Sequence, residues 1–200
     1  MKTIALAMPK GGTAKTTTCI NLAAALVELG QRVLAVDLDP QGNLTACAGW
    51  EPDSLETTIY QAIMTTVRDG RATPPLILST KEGFDLVPAN LDLSLAELDL
   101  QNTFRREYIL ARILAPVQED YDFILLDCPP SLGILVINAL TAASEVMLPT
   151  QAEFLAARGI DRLLQIIERV QATELNPDLK VTGIVLTMAD PRTIHTRDVI

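Results

Sequence analysis

The sequence predicts an α/β protein with a doubly wound, mostly parallel sheet and helices on both faces. Three observations predict it. Short apolar runs alternate along the 200 residues with longer stretches of helical period. Those apolar runs are continuous rather than alternating, as strands buried on both faces require. Polar clusters at 9–18, 37–43, 127–131 and 187–193 each follow an apolar run, and open α/β sheets bind ligands beyond the carboxyl ends of their strands. One domain is expected over residues 1–200, because the length fits one core and 48% of the chain is apolar.

The elements follow in order. "TIALAM" (3–8) reads as a strand stopped by Pro9 and two glycines. Residues 15–29 place Ile20, Ala23, Ala24 and Val27 on one helical face, and Gly30 ends that helix. "RVLAVDLD" (32–39) is a strand that finishes in acids. Residues 57–64 read as a helix, 65–82 as a turn-rich connection, and 83–89 as a strand. Residues 92–115 read as mainly helical, stopped by Pro116. "DFILLDCPP" (122–130) is a strand running into a proline-locked turn. A short helix (132–142), a strand (145–150), a longer helix (154–174) and a last strand (180–188) complete the pattern. The longer helix carries Ile160, Leu163, Leu164, Ile167 and Val170 on one face.

Composition narrows the function classes. No apolar run reaches the roughly 18–20 residues that span a bilayer. "MKTIALAM" has a lysine and a short apolar run, but Lys10 and the glycines follow at once, so a first strand is read rather than a leader. The net charge of −9 gives an average surface that repels nucleic acid and anionic lipid. Cys19, Cys47 and Cys128 form no C-x-x-C pair, so reduced thiols in a cytosol are expected. His195 is the single histidine, which excludes multi-histidine metal sites.

The stretch "AMPKGGTAKTTT" (7–18) has the makings of a phosphate-binding loop, yet Pro9 and Ala14 stand where G-x-x-x-x-G-K-[ST] requires glycine. A strand leading into a helix still supplies unpaired N–H groups and a partial positive charge. Gly11 and Gly12 let the backbone turn and approach a ligand. Lys15 suits the β- and γ-phosphates, the Thr16 hydroxyl suits Mg²⁺, and Thr17 suits the α-phosphate. Asp37 and Asp39 end a strand two residues apart and are read as facing one way. Either could hold Mg²⁺ through water, position an attacking water, or simply cap a turn. Asp127 follows four apolar residues, and a buried acid there needs a cation or donors. Loop and acids together predict a nucleotide site.

These residues resemble a known family. "KGGTAKTT" (10–17) is similar to the deviant Walker A pattern K-G-G-x-x-K-[ST] of the ParA/MinD ATPases. "VDLDPQGN" (36–43) resembles their switch I, and "ILLDCPPSLG" (124–133) with "INAL" (137–140) their Walker B and switch II. "PTQAEFLAARG" (149–159) and "LTMADPRT" (186–193) resemble later segments, so the likeness covers nearly the whole chain. Within the family it looks most like the ParA (Soj-like) partition ATPases. The resemblance implies a P-loop NTPase fold, ATP and Mg²⁺ as cofactors, and cradle residues Lys10, Gly11, Gly12, Thr13, Ala14, Lys15, Thr16 and Thr17. It implies metal contacts from Thr16, Asp39 and Asp127, the last through water, and catalytic roles for Lys10, Lys15 and Asp39. Lys10 reaches the ATP of a partner subunit in this family, and Asp39 is needed for hydrolysis. It further implies a homodimer formed on ATP binding, a ParB-like centromere-binding partner, non-specific DNA, and a cytoplasmic, nucleoid-associated location.

Two departures from the family pattern stand out. Glycine is usual where Ala14 sits, so hydrolysis is expected to be slow while binding survives. Family members continue beyond the point matching Ile200, with further strands, an adenine-pocket segment and a basic DNA-binding region. The chain is therefore read as lacking that C-terminal part, and Lys180, Arg192 and Arg197 are too few to replace it. Competing readings are an ATP clamp with poor hydrolysis, an ATPase positioning a non-DNA cargo, and a metabolic enzyme of the same superfamily. A membrane-positioning role is not expected, because no C-terminal amphipathic helix is visible and the 154–174 helix has few basic residues.

Overall fold

The computed structural model describes residues 1–151 and 154–189, without the side chains of 154–157. The last part of the polar cluster at 187–193, together with Arg192, His195 and Arg197, lies outside the described residues.

The frame is a seven-stranded sheet. Its strands are β1 (Lys2–Leu6), β2 (Val33–Asp37), β3 (Leu78–Ser79), β4 (Asp85–Val87), β5 (Phe123–Asp127), β6 (Glu145–Gln151) and β7 (Lys180–Thr187). They lie in the order β3-β4-β2-β5-β1-β6-β7. All pairings are parallel except that of β3 with β4. The helices are α1 (Lys15–Glu28), α2 (Asn43–Cys47), α3 (Ile59–Asp69), α4 (Ala96–Asp99), α5 (Ile109–Leu114), α6 (Ile134–Ala142) and α7 (Phe154–Ala172).

Both faces of the sheet are covered, which is why the strands carry continuous apolar runs. Ile4, Leu6, Ala35 and Leu125 pack with Cys19 and Ala23 of α1 and Leu44 of α2. The alternate residues Ala5, Val36, Ile124 and Val146 pack on the other face with Ile59 of α3, Ile113 of α5, Leu135 of α6 and Leu163 of α7. In β2 all five residues are buried. β1 lies between β5 and β6, and the chain leaves β1 toward β2 but leaves β5 toward β6. The carboxyl ends of β1, β2 and β5 therefore meet at the point where the strand order reverses, where such sheets hold ligands.

Several expected boundaries move. The 92–115 stretch is not one helix: it divides into a 3₁₀ turn (Leu91–Leu95), α4, a second 3₁₀ turn (Arg106–Tyr108) and α5. Arg105 adopts φ 54, a left-handed conformation that interrupts the helical path. The connection at 65–82 is also shorter than its turn residues suggest. α3 runs on to Asp69 before Gly70 closes it at φ 65, and β3 adds an antiparallel edge strand. α2 follows Gly42 at φ 62, with nothing of the helical period to betray it over five residues.

α3 begins with a capping box. The Tyr60 N–H donates to Thr58 Oγ1 at 3.3 Å, and the Thr58 N–H donates to Gln61 Oε1 at 2.8 Å. Thr58 is fully buried. Thr58→Ala is expected to cost about 1–2 kcal/mol, the usual worth of such a cap. Urea unfolding checks this, and an unchanged midpoint would show that the cap carries no stability.

Candidate phosphate-binding site

The loop between β1 and α1 turns through two left-handed residues, Gly12 at φ 74 and Ala14 at φ 63. Gly12 adopts this conformation freely, whereas Ala14 places a Cβ where L-residues are disfavoured. A Cβ built on Gly11 or Gly12 would meet nothing within 4 Å. Their backbone faces an open cleft of about 440 Å³, lined by residues 11–17 together with Asp39, Gln41, Asn43, Cys47 and Pro130. α1 opens directly on this cleft, and it has no side-chain N-cap and no acid in its first turn. Its first N–H groups are thus available to an anion.

Two contacts unforeseen from sequence hold the loop from behind. Gln151 Nε2, at the end of β6, donates to the carbonyl of Gly12 at 3.0 Å. Thr187 Oγ1, at the end of β7, lies 3.1 Å from the carbonyls of Thr13 and Thr150. Both tie loop carbonyls to the sheet. The expected convergence of strand-end clusters was the available signal, but no spacing rule singles out these two residues.

The charged groups are packed closely. Lys15 is 7% exposed, and its Nζ donates to the Lys10 carbonyl at 3.3 Å. Burial pulls the Lys15 ammonium below its usual range, while the charges of Asp127, Cys128 and Asp39 push it back up. Thr16 Oγ1 donates to Asp127 Oδ2 at 2.6 Å. Asp127 Oδ1 is buried with no hydrogen-bond partner. Burial pushes the Asp127 carboxyl up to about 7, opposed by the Thr16 hydrogen bond and by Lys15, and assisted by Asp37 and Asp39.

Asp37 and Asp39 do not face one way. β2 ends at Asp37, which pairs in register with Asp127 on the neighbouring strand. The Asp37 carboxylate turns to α2 and accepts from the Thr45 N–H at 2.9 Å and Thr45 Oγ1 at 2.7 Å. Asp39 lies beyond the strand, where Oδ1 accepts from the Gln41 N–H at 3.0 Å. Its residue lines both the phosphate cleft and an adjoining cleft of about 300 Å³ bounded by Glu97, Pro129, Ser131 and Leu135. The pair thus divides into an internal anchor and an acid at the mouth of the site.

The described residues contain no cluster of three or more His, Cys, Asp and Glu side chains able to cage a metal alone. Mg²⁺ does not require one, since it keeps waters and takes one or two carboxylates plus phosphate oxygens. The orphaned Asp127 oxygen beside the Thr16 hydroxyl fits that demand. Gly11, Gly12, Thr13, Ala14, Lys15, Thr16, Thr17, Asp39 and Asp127 are all brought to this rim. Lys10 joins them through its carbonyl, which accepts from Lys15 and, at 3.4 Å, from Thr13 Oγ1. No helix among the described residues is long and apolar enough to cross a membrane.

Residues 1–181 match a family described as an AAA domain. The chain is 45% identical over 192 residues to the sporulation initiation inhibitor protein Soj of Bacillus subtilis, covering 96% of this chain and 74% of Soj. It is 42% identical over 194 residues to the chromosome partitioning protein ParA of Caulobacter vibrioides, covering 96% of this chain and 71% of that protein. The chain belongs to the ParA/MinD family. Against two Mycobacterium tuberculosis relatives it is 45% identical but spans 61% of their length. Among solved structures, cobyrinic acid a,c-diamide synthase from Mycobacterium smegmatis with bound ADP and magnesium aligns with a TM-score of 0.91 and 47% identity. That alignment covers 100% of this chain and 79% of the synthase. The same synthase aligns equally well with a bound ATP analog and magnesium. McdA of Cyanothece shares the fold, at a TM-score of 0.86.

Two outcomes test this geometry. Ala14→Gly should raise the stability of the ligand-free protein by about 0.5–1 kcal/mol, because it removes a Cβ from a left-handed residue. Thermal unfolding reads it, and a loss of stability would mean that Ala14 is unstrained. The second concerns Asp127, whose folded pKa near 7 lies above its ordinary 3.8. The folded acid holds its proton more tightly than the unfolded one, so its charge penalty is absent at low pH. The penalty grows as pH rises from 3.8 toward 7 and is complete above that. Asp127→Asn should therefore gain on the unmodified chain across that window, by roughly 2–4 kcal/mol at its upper end. A difference between the two that does not vary with pH would contradict a buried, uncompensated carboxylate.

Proposed function

We propose that the chain is an ATP-dependent partition ATPase that positions or segregates DNA. The carrying observation is the cradle itself: Gly12 and Ala14 turn the loop so that the first N–H groups of α1, Lys15 and Thr16 face one cleft beside the orphaned oxygen of Asp127. Likeness to Soj and to ParA over nearly the whole chain supports the partition role.

In this reading the loop amides and Lys15 bind the triphosphate, and the Thr16 hydroxyl with Asp127 holds Mg²⁺. Bound Mg²⁺ supplies charge neutralisation at the phosphates. Asp39, at the mouth of the cleft, orients the attacking water. Lys10 of one subunit reaches the ATP of its twin, so nucleotide state governs dimerisation. The ATP-bound dimer binds DNA non-specifically, and a ParB-like partner stimulates hydrolysis and release. The protein acts in the cytoplasm on the nucleoid. A single P-loop domain spans residues 1–200.

A second reading follows from the match to cobyrinic acid a,c-diamide synthase: an ATP-dependent ligase acting on a carboxylate. The cleft beside the phosphate loop argues against it. Asp39 and Glu97 line that cleft, with no lysine or arginine among its described lining residues, which disfavours an acidic substrate there.

ATP-dependent dimerisation by analytical ultracentrifugation, paired with turnover in the presence of DNA and a ParB-like peptide, tests the proposal. Lys10→Ala should abolish the ATP-induced dimer and lower stimulated turnover by about 10³-fold or more, as removal of an arginine finger does. A Lys10→Ala protein that dimerises and turns over normally removes the trans mechanism. Turnover stimulated instead by cobyrinic acid and an amide donor favours the ligase reading.

A further inference from the structure

The acid assigned to water positioning, Asp39, stands on a loop whose two ends are held by one buried carboxylate. Asp37 is fully buried at the end of β2. Its Oδ1 accepts from the Asp39 N–H at 3.1 Å, and its Oδ2 accepts from the Thr45 N–H and hydroxyl. Thr45, also fully buried, in turn accepts through Oγ1 from the Ala89 N–H at 3.0 Å. A threonine hydroxyl has one proton to give and lone pairs to receive, and here both are used.

The chain Asp37–Thr45–Ala89 therefore joins the end of β2, the start of α2 and the segment leaving β4. The turn between them has no slack. A Cβ on Gly42 would stand 2.9 Å from Pro52 Cβ and 3.0 Å from the Ala89 carbonyl. The next residue, Asn90, is itself held: its Oδ1 lies 3.4 Å from Thr58 Oγ1, and its Nδ2 donates to the Leu55 carbonyl at 3.3 Å. Neither Asp37 nor Thr45 lines the phosphate cleft, whereas Asp39, Gln41 and Asn43 between them do.

We infer that Thr45, clamped between Asp37 and the Ala89 amide, is a positioning residue that sets where Asp39 stands and hence the rate of ATP hydrolysis, without setting nucleotide affinity. This rests on the ATPase reading above. The cradle residues that bind phosphate belong to a different loop and keep their own supports in Gln151 and Thr187. Loss of the clamp leaves binding intact and lets Asp39 wander. Misplacement of a positioning group by about 1 Å costs on the order of 100-fold in rate.

The test uses the full chain with Mg²⁺ and ATP, comparing Thr45→Val, which matches the shape but can neither donate nor accept, with Thr45→Ser, which can do both. Thr45→Val should lower kcat by roughly 10–100-fold while KM changes by less than about two-fold, and Thr45→Ser should restore kcat. Thr45→Val turnover equal to that of an active unmodified chain overturns the inference and leaves the ATPase reading standing. Parallel loss of kcat and ATP affinity, unrescued by serine, also overturns it. An unmodified chain that binds ATP but never hydrolyses it, with or without DNA and partner peptide, sinks both. Should Thr45→Val fail to fold, native-state amide exchange of the unmodified protein decides. The amides of Asp39, Thr45 and Ala89 open together if one clamp holds them, and independent opening refutes it.

Discussion

A carboxylate oxygen with no donor sits in the interior of this protein, and the surrounding architecture makes sense as the means of tolerating it. Asp127 ends β5 fully buried, with one oxygen bonded to Thr16 and the other bonded to nothing. Burying such a group without compensation is among the costlier things a fold can do. Three devices reduce the cost: the Thr16 hydroxyl, the Lys15 ammonium close by, and a pKa pushed to about 7 that keeps part of the population neutral. None of them supplies the missing partner. A divalent cation would, and Thr16, which donates to Asp127, lines the open cleft.

The sheet topology brings these groups together. Because β1, β2 and β5 are neighbours, the loop after β1, the acid at the end of β2 and the acid at the end of β5 share one rim. Asp37 and Asp127 are register partners, so two buried acids stand side by side. Only the first is fully satisfied, by donors from α2 and from its own loop. In the proposed function that difference separates an anchor from the acid that would hold the metal.

Much of this was legible in the sequence. The parallel sheet followed from continuous apolar runs, since residues covered on both faces need no alternation, and β2 is buried throughout. The loop was legible because glycine pairs, lysine and threonines have few other reasons to follow a strand. The conformation of Ala14 was not, because alanine gives no local sign that tertiary contacts hold it left-handed. The acids could be listed but not sorted: Asp37 and Asp39 look alike until Thr45 is placed in space. The loop contacts of Gln151 and Thr187 were not legible, since each acts across more than 130 residues of chain, although Thr187 opens a cluster expected at this rim. The 92–115 region misled because its buried residues, Leu93, Leu100, Leu110 and Leu114 among them, belong to separate short pieces divided where Arg105 turns left-handed.

The central claim is that the buried Asp127 carboxylate, one oxygen of which has no hydrogen-bond partner, would help hold Mg²⁺ arriving with nucleotide. Isothermal titration of Mg²⁺ and ATP in buffers of different ionisation enthalpy measures the protons released on binding. Relative to Asp127→Asn, the unmodified chain should release nearly one additional proton near pH 6 and almost none near pH 8, because the acid must ionise to receive the metal. Identical proton release in the two proteins across that range would contradict the account.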